Sequence, residues 1–386
     1  MIPLRNIRRF FRKTMEQPAY AMRVAAKRLG ALLSYHAGRG NAPLPEAITI
    51  FMTHRCNLRC KMCGQWGDHG VSRTGAKEEL LKELSTEQLT AFIEDTASFM
   101  PNITLFGGEP LLHRGALDLI RTIKSKGMHC LVITNGSLIG RFAPELVEAG
   151  LDELNISLDG NEETHDAIRG MKGLFSTISG GISGINALKL ERGIRKPLIN
   201  LQCTINKDNY GNLEEMLNVA ETCHANSITF HHLIFLAGET FETHKEYFNK
   251  HFPGTSSEDW KGFVFDHGLD IGLLRKKIAF IKSNAKNVFV NFYPNFTDTE
   301  LNDYYGNPRY IPSGYAPRCQ SPWIACYLFP DGEVRPCLNI AYSFGNVQKE
   351  PFKNIWNGPA ATAYRRRLKK EGLFPACIRC TELYRY

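Results

Sequence analysis

The chain has 386 residues, 43% hydrophobic and 22% charged. That composition excludes a largely disordered polypeptide and leaves room for more than one packed unit. No run reaches the roughly 18 apolar residues that a membrane span requires, and no apolar secretory segment is found near Met1, so a cytoplasmic protein is expected. The net charge of +8 resides in residues 1–45, which hold nine Lys and Arg against one acidic residue, Glu16; over the remainder the charges cancel. A neutral body offers no footprint for nucleic acid, and no nucleic-acid partner is expected.

Residues 3–34 predict two short helices broken near Pro18. Leu4, Ile7 and Phe11 share one face of the first; Met22, Ala26, Leu29 and Leu33 share one face of the second, with Arg23 and Lys27 beside it. Such an arm either packs on its own domain with its basic side in water or lies on an anionic membrane, which makes residues 1–45 a candidate peripheral membrane contact. Gly38, Gly40, Pro43 and Pro45 mark a linker.

From residue 46 strands and helices alternate. Strands are expected at Ala47–Thr53, Asn102–Phe106, His129–Thr134, Glu153–Leu158, Leu198–Ile205 and Ser227–Phe235, with helices near 86–98, 114–126, 142–149, 175–191 and 212–224. This α/β pattern predicts a parallel sheet, either doubly wound or a partial barrel, with ligands at the C-terminal strand ends. Residues 236–316 break the rhythm: a helix is expected over 271–284 and a short strand over 287–292. The aromatic stretch from Phe289 to Tyr315 either lines a substrate cavity or packs internally. Residues 317–386 read as a small Cys-rich domain held by metal.

Eleven cysteines are many for a reducing compartment, where clusters point to metal or catalysis rather than disulfides. Cys56, Cys60 and Cys63 follow the first strand directly. Three thiolates at this spacing hold three corners of a cubic iron–sulfur cluster and leave one iron open; zinc completed by His54 or His69 is the alternative. The second strand ends in Gly107-Gly108-Glu109-Pro110, where glycines let backbone approach a ligand and Glu109 offers an anion to an ammonium group. The third ends in Thr134-Asn135-Gly136. The fourth carries Ser157 and Asp159 and is followed by Arg169, whose planar fork suits a carboxylate or, on a bland reading, pairs with Asp166 or Glu163 at the surface. On the sixth, His231 or His232 is either a substrate contact and proton carrier or a core histidine.

In the C-terminal region Asp331-Gly332 predicts a hairpin that brings Cys319 near Cys337. Cys377 and Cys380, after a helix near 359–370, complete a four-thiolate site, with zinc again the alternative. Cys326 is an extra thiol, and Cys130, Cys203 and Cys223 read as core residues.

The Cys56-x3-Cys60-x2-Cys63 loop resembles the signature of the radical S-adenosylmethionine (SAM) superfamily, and the resemblance covers about residues 46–235. Met62 stands where that family usually has an aromatic residue. The resemblance implies a partial (β/α)6 TIM-type barrel whose [4Fe–4S] cluster, held by Cys56, Cys60 and Cys63, binds SAM through its open iron. An electron then cleaves the sulfonium, and a 5′-deoxyadenosyl radical removes hydrogen from substrate. It also implies SAM contacts for Gly107, Gly108, Glu109, Pro110, Asn135, Ser157 and Arg169, and a flavodoxin or ferredoxin as electron donor. Cys319, Gly332, Cys337, Gly345-Asn346-Val347, Ile355-Trp356-Asn357 and Cys377-x2-Cys380 resemble the family's SPASM/twitch extension. That implies one auxiliary [4Fe–4S] cluster on Cys319, Cys337, Cys377 and Cys380. The expected organisation is an arm (1–45), a radical SAM core (46–235), a connecting region (236–316) and an auxiliary-cluster domain (317–386). The implied substrates are peptide or protein side chains, sugars or lipid-linked molecules. The alternatives are a zinc-stabilised binding protein and an iron–sulfur electron carrier without SAM chemistry.

Overall fold

The structure, a computed structural model, describes residues 18–73, 75–311 and 315–385. The expected helix around Leu4–Phe11 lies outside them. Seven parallel strands follow one another in space as in sequence: β1 (Ala47–Phe51), β2 (Asn102–Phe106), β3 (Cys130–Thr134), β4 (Glu153–Ser157), β5 (Leu198–Thr204), β6 (Ser227–His231) and β7 (Phe289–Tyr293). The C-terminal region continues the same sheet. Strand β8 (Ala325–Leu328) pairs parallel with β1 in the register Ala47↔Ala325, and β9 (Glu333–Arg335) and β10 (Gly345–Asn346) follow antiparallel. This docking covers the edge of β1 that would otherwise stay unpaired. The Asp331-Gly332 turn forms as expected, with Gly332 at φ +85°.

Strand alternation explains both faces of the barrel. Ile103, Leu105, Leu154, Ile156, Leu201, Cys203, Ile228 and Phe230 are fully buried on the outer face. Burying one such aliphatic or aromatic side chain contributes about 1.5–3 kcal/mol. The helices that cover this face start where their signals stand. Ser85 and Gln88 form the capping box of the helix Thr86–Ala97, and Asn161 caps Glu162–Arg169, which Gly170 ends in the left-handed region.

The inner face is half-buried and polar along β4–β6. Asn200 Nδ2 donates to Asn155 Oδ1 at 3.1 Å, Ser227 Oγ to Asn200 Oδ1 at 2.7 Å, and His231 Nε2 lies 2.6 Å from Gln202 Oε1. Along β1, β2 and β8 it is aromatic instead: Phe51 stacks on Phe329 at 5.3 Å and meets Phe106 edge-on, with Tyr327 in the same cluster.

Between the sixth and seventh strands the sequence pattern left the helix Gly238–His251 unread, and beyond the seventh it left Asp298–Gly306 unread. Most of the aromatic stretch packs internally: Phe292, Phe296, Tyr304, Tyr305, Tyr310 and Tyr315 are buried, whereas Phe289 and Tyr293 are half-exposed. His232 joins the packed group, with Nδ1 3.0 Å from Tyr305 Oη.

The N-terminal helix, α1 (Pro18–Ala37), corrects the expectation that a packed arm leaves its basic side in water. Its inner face presents Lys27 and Arg28 along with Ala31 and Tyr35. Lys27 Nζ donates to the carbonyls of Pro45, Phe99 and Met100, and Arg28 pairs with Glu46 at 2.7 Å. Met22, Leu29, Leu32 and Leu33 face outward.

Candidate active site

The loop after β1 is fastened from three sides. Trp66 Nε1 donates to the His54 carbonyl at 2.8 Å, and the Arg59 guanidinium stacks on the Trp66 ring at 4.3 Å. Lys61 N–H donates to the carbonyl of Ile168 at 3.1 Å. From the third side come the glycines that end β2. Gly108 N–H donates to Thr53 O at 2.7 Å and Glu109 N–H to Arg55 O at 2.9 Å. A Cβ on Gly108 would sit 2.2 Å from the Arg55 carbonyl oxygen, and one on Gly107, at φ +146°, 2.7 Å from that of Thr53. The glycines thus let two strand ends cross at backbone contact.

Cys56, Cys60 and Cys63 are brought together on this loop. Trp66 N–H lies 3.4 Å from the sulfur of Cys63, Asn135 Nδ2 3.8 Å from that of Cys56, and Arg169 Nη1 3.7 Å from that of Cys60. Burial pushes the Cys60 thiol up to about 11; the Arg169 cation opposes that, and the neighbouring thiols and Asp159 reinforce it. Burial likewise raises Cys56. Three thiols in mutual electrostatic contact, with Cys56 and Cys60 raised by burial, match a donor set that is completed by positively charged irons.

The other expected residues surround this loop. Glu109 is fully buried, and its carboxylate accepts from Leu111 N–H, Thr134 Oγ1 and Asn135 N–H. Desolvation raises it to about 7. Pro110 opens the short turn Pro110–Leu112 that Glu109 caps. Asn135 also donates to Asn57 Oδ1 at 2.9 Å. Ser157 ends β4, half-buried on the inner face. Arg169 is buried, and its ion pair is with Asp159 at 2.5 Å rather than with Asp166 or Glu163 at the surface. Asp166 instead accepts from the backbone N–H of Gly173 and Phe175. Asp159, read only as part of a strand end, is thus a central organiser: its second oxygen accepts from Thr204 N–H at 2.8 Å. Asn57 and Trp66 also belong to this site and carry no sequence signal of their own. A cleft beside Cys63, lined by Met62, Ile168, Asn206, Lys207, Leu233 and Phe265, opens at this end of the barrel.

The second cysteine group forms a separate pocket. Cys319, Cys337, Cys377 and Cys380 line one cavity together with Trp260 and Tyr364. Burial raises all four thiols, Cys377 to about 12, and each is raised further by others of the set. Cys326 is not among them. It lies on β8 opposite Ile48, buried, with Arg365 as its charged neighbour. Cys130, Cys203 and Cys223 are core residues. Among the described residues no three Cys, His, Asp or Glu side chains close on one point as a lone metal ion requires. Four sulfurs lining one cavity are a donor set that an iron–sulfur cluster can take.

A parallel barrel with a three-thiol loop at its open end and a four-thiol pocket beside it defines an iron–sulfur enzyme. The comparisons with known proteins agree. Residues 50–250 match the radical SAM superfamily, and residues 319–381 match the SPASM iron–sulfur cluster-binding domain. The chain is 33% identical over 348 residues to an Fe-coproporphyrin III synthase of Methanosarcina barkeri, covering 83% of this chain and 78% of that one. It is 26% identical over 333 residues to a PqqA peptide cyclase of Rhizobium meliloti, covering 83% and 76%. Its fold is like that of SuiB from Streptococcus suis bound to the precursor peptide SuiA, with a TM-score of 0.58, 13% identity, and 90% and 72% coverage. The chain belongs to the radical SAM superfamily. It is a SPASM-containing enzyme of that family, and its cofactors are SAM and iron–sulfur clusters.

Proposed function

We propose that Cys56, Cys60 and Cys63 hold the [4Fe–4S] cluster that binds SAM, and that Cys319, Cys337, Cys377 and Cys380 hold one auxiliary [4Fe–4S] cluster. When bound, the first cluster supplies an electron, taken from a flavodoxin or ferredoxin, that cleaves SAM to a 5′-deoxyadenosyl radical able to remove hydrogen from substrate. The observation that carries this reading is the convergence of Asn135 and Arg169 on the sulfurs of Cys56 and Cys60.

The chain's own residues divide the remaining work. Gly107, Gly108 and Pro110 shape the backbone that meets the SAM amino group. Buried Glu109 fixes the ends of β2 and β3 and supplies negative charge nearby. Asn135 fixes the loop carrying Cys56, and Ser157 and Arg169 meet the SAM carboxylate, Arg169 held in place by Asp159. The cleft lined by Met62, Ile168 and Leu233 takes the adenosine.

The substrate reaches the lumen from the same end. On the inner face, half-buried Phe106 together with half-buried polar Asn155, Gln202 and His231 favours a molecule with both an apolar body and hydrogen-bonding edges. A tetrapyrrole, as the M. barkeri relative's name suggests, and a peptide side chain, as PqqA suggests, both have that character. Lipid-linked and sugar substrates are the further classes to assay. The test is anaerobic purification followed by reduction with SAM present. The reading expects about eight irons per chain and formation of 5′-deoxyadenosine; zinc in place of iron would overturn it.

A further inference from the structure

The outward face of α1 is unusual for a helix packed on a soluble body. Ten large apolar side chains among the described residues are strongly exposed, and four of them, Met22 (67%), Leu29 (58%), Leu32 (38%) and Leu33 (61%), stand on this one helix. They fall at helical spacing and make a continuous stripe with exposed Ala25 and Ala26 between them. The opposite arrangement would be expected if α1 only closed the barrel, because Lys27 and Arg28 would then point to water. Instead Lys27 is tied to three carbonyls, and burial lowers its ammonium to about 8. Among the described residues, the helix is seated by its polar side and its apolar side stays exposed.

Charge surrounds this stripe. Arg23 and Arg39 are exposed at either end of the same segment. The helix Pro359–Glu371 arrives beside the C-terminal end of α1, where Lys369 Nζ donates to the His36 carbonyl at 2.9 Å, and it adds exposed Arg366 and Lys370. Residues 1–17, immediately before the helix, carry Arg5, Arg8, Arg9, Arg12 and Lys13 against Glu16. Among the described residues, cations of the helix segment (Arg23, Arg39) and of the helix Pro359–Glu371 (Arg366, Lys370), more than three hundred positions apart in sequence, thus frame one apolar strip.

We infer that α1 is a docking surface for an anionic lipid bilayer: Met22, Leu29, Leu32 and Leu33 enter the acyl boundary, while Arg23, Arg39, Arg366 and Lys370 meet headgroup phosphates. One apolar strip gives only weak partitioning, and adjacent cations supply the rest through attraction to acidic lipid. The placement also sets the orientation. Lys27 and Arg28 anchor α1 at residues that precede β1 and β2, the N-terminal edge of the sheet, whereas the cysteine loop and its cleft lie at the C-terminal ends. Docking through α1 therefore tethers the enzyme without placing its cleft against the lipid, so a membrane contact does not make the substrate a lipid.

The full-length, cluster-loaded enzyme tests this in anaerobic co-sedimentation with phosphatidylcholine vesicles with and without phosphatidylglycerol. Binding is expected only to the phosphatidylglycerol vesicles, and it weakens as salt is raised. Met22→Ser/Leu29→Ser/Leu33→Ser, at positions already in water, lowers the partition coefficient by roughly tenfold or more, with SAM cleavage unchanged. Arg366→Ser/Lys370→Ser lowers it less and removes part of the salt dependence. Absence of wild-type binding to anionic vesicles would overturn the inference, as would binding that the triple variant retains. A wild-type dimer in sedimentation velocity that the triple variant converts to monomer would also overturn it, by assigning the stripe to a second copy.

Discussion

The guanidinium of Arg169 lies 3.7 Å from the sulfur of Cys60 and is held by Asp159 through an ion pair of 2.5 Å. Asp159 has no exposed surface, and its other oxygen is fixed by the backbone of Thr204. A buried charge pair of this kind is costly to break from either side, because the partner stays behind uncompensated. It also aims a planar donor at the cysteine loop.

Arg169→Lys keeps the charge and loses the fork. Charge-assisted hydrogen bonds contribute about 1.5–3 kcal/mol each. The variant is therefore expected to bind SAM about 10–100-fold more weakly while retaining its iron. Equilibrium binding of SAM to the cluster-loaded protein measures it. Unchanged affinity with a lowered melting temperature would reduce Arg169 to a structural role.

Gly108→Ala places a methyl group where the Arg55 carbonyl already stands, 2.2 Å away, with backbone on both sides of the contact. Overpacking of this kind costs about 1–3 kcal/mol, and here the strain falls on the loop that carries the cysteines. The expected result is loss of most of the SAM-site iron with the far-UV spectrum of the fold retained. Iron content per chain and circular dichroism read the two together. Full iron loading would contradict the backbone crossing as the reason for glycine.

The two cysteine groups are separable. Cys377→Ala/Cys380→Ala is expected to lose about half of the iron, keep SAM cleavage at least in part, and stop conversion of substrate. Cys326→Ala is expected to keep all of the iron, since Cys326 lies on β8 outside the four-thiol cavity. Its cost is that of a small cavity, about 1 kcal/mol. Iron lost from the Cys326 variant would place that thiol in the auxiliary site after all.

Acid should act on the aromatic core. Burial holds the His232 imidazole down at about 3 from its ordinary 6.5. As pH falls below about 6.5 the unfolded chain takes up a proton that the folded chain refuses, so stability drops by up to about 1.4 kcal/mol per pH unit until the folded form also protonates. His232→Gln removes that contribution. Melting temperatures of wild type and variant, compared from pH 7 to pH 5, should converge as pH falls. A constant gap would show that His232 does not titrate on unfolding.

The barrel was legible because its rules are local. Strands from Ala47 to His231 stand out as apolar runs or alternations, four of them ended at Gly107, Asn135, Asp159 and Asn206, and the capping box at Ser85 and Gln88 marks its helix without help from the rest of the chain. The cysteine loop was legible for the same reason, as a spacing. What sequence did not reveal depends on contacts between distant segments. The parallel pairing of β8 with β1 joins residues 47 and 325, and nothing in Ala325–Leu328 specifies its partner. Asp159 read only as part of a strand end beside Ser157, yet burial makes it the partner of Arg169. Glu109 read as an anion on offer, whereas three donors from Leu111, Thr134 and Asn135 already surround it. The inverted seating of α1 was illegible because an amphipathic pattern gives two faces and not which of them the fold will cover.

On the proposed reading, SAM docks on a cluster held by Cys56, Cys60 and Cys63. Electron paramagnetic resonance of the reduced Cys377→Ala/Cys380→Ala protein, in which only that cluster remains, tests it most directly. A single cluster signal is expected, with g values that shift when SAM is added. A reduced, iron-loaded protein whose spectrum is indifferent to SAM would contradict it.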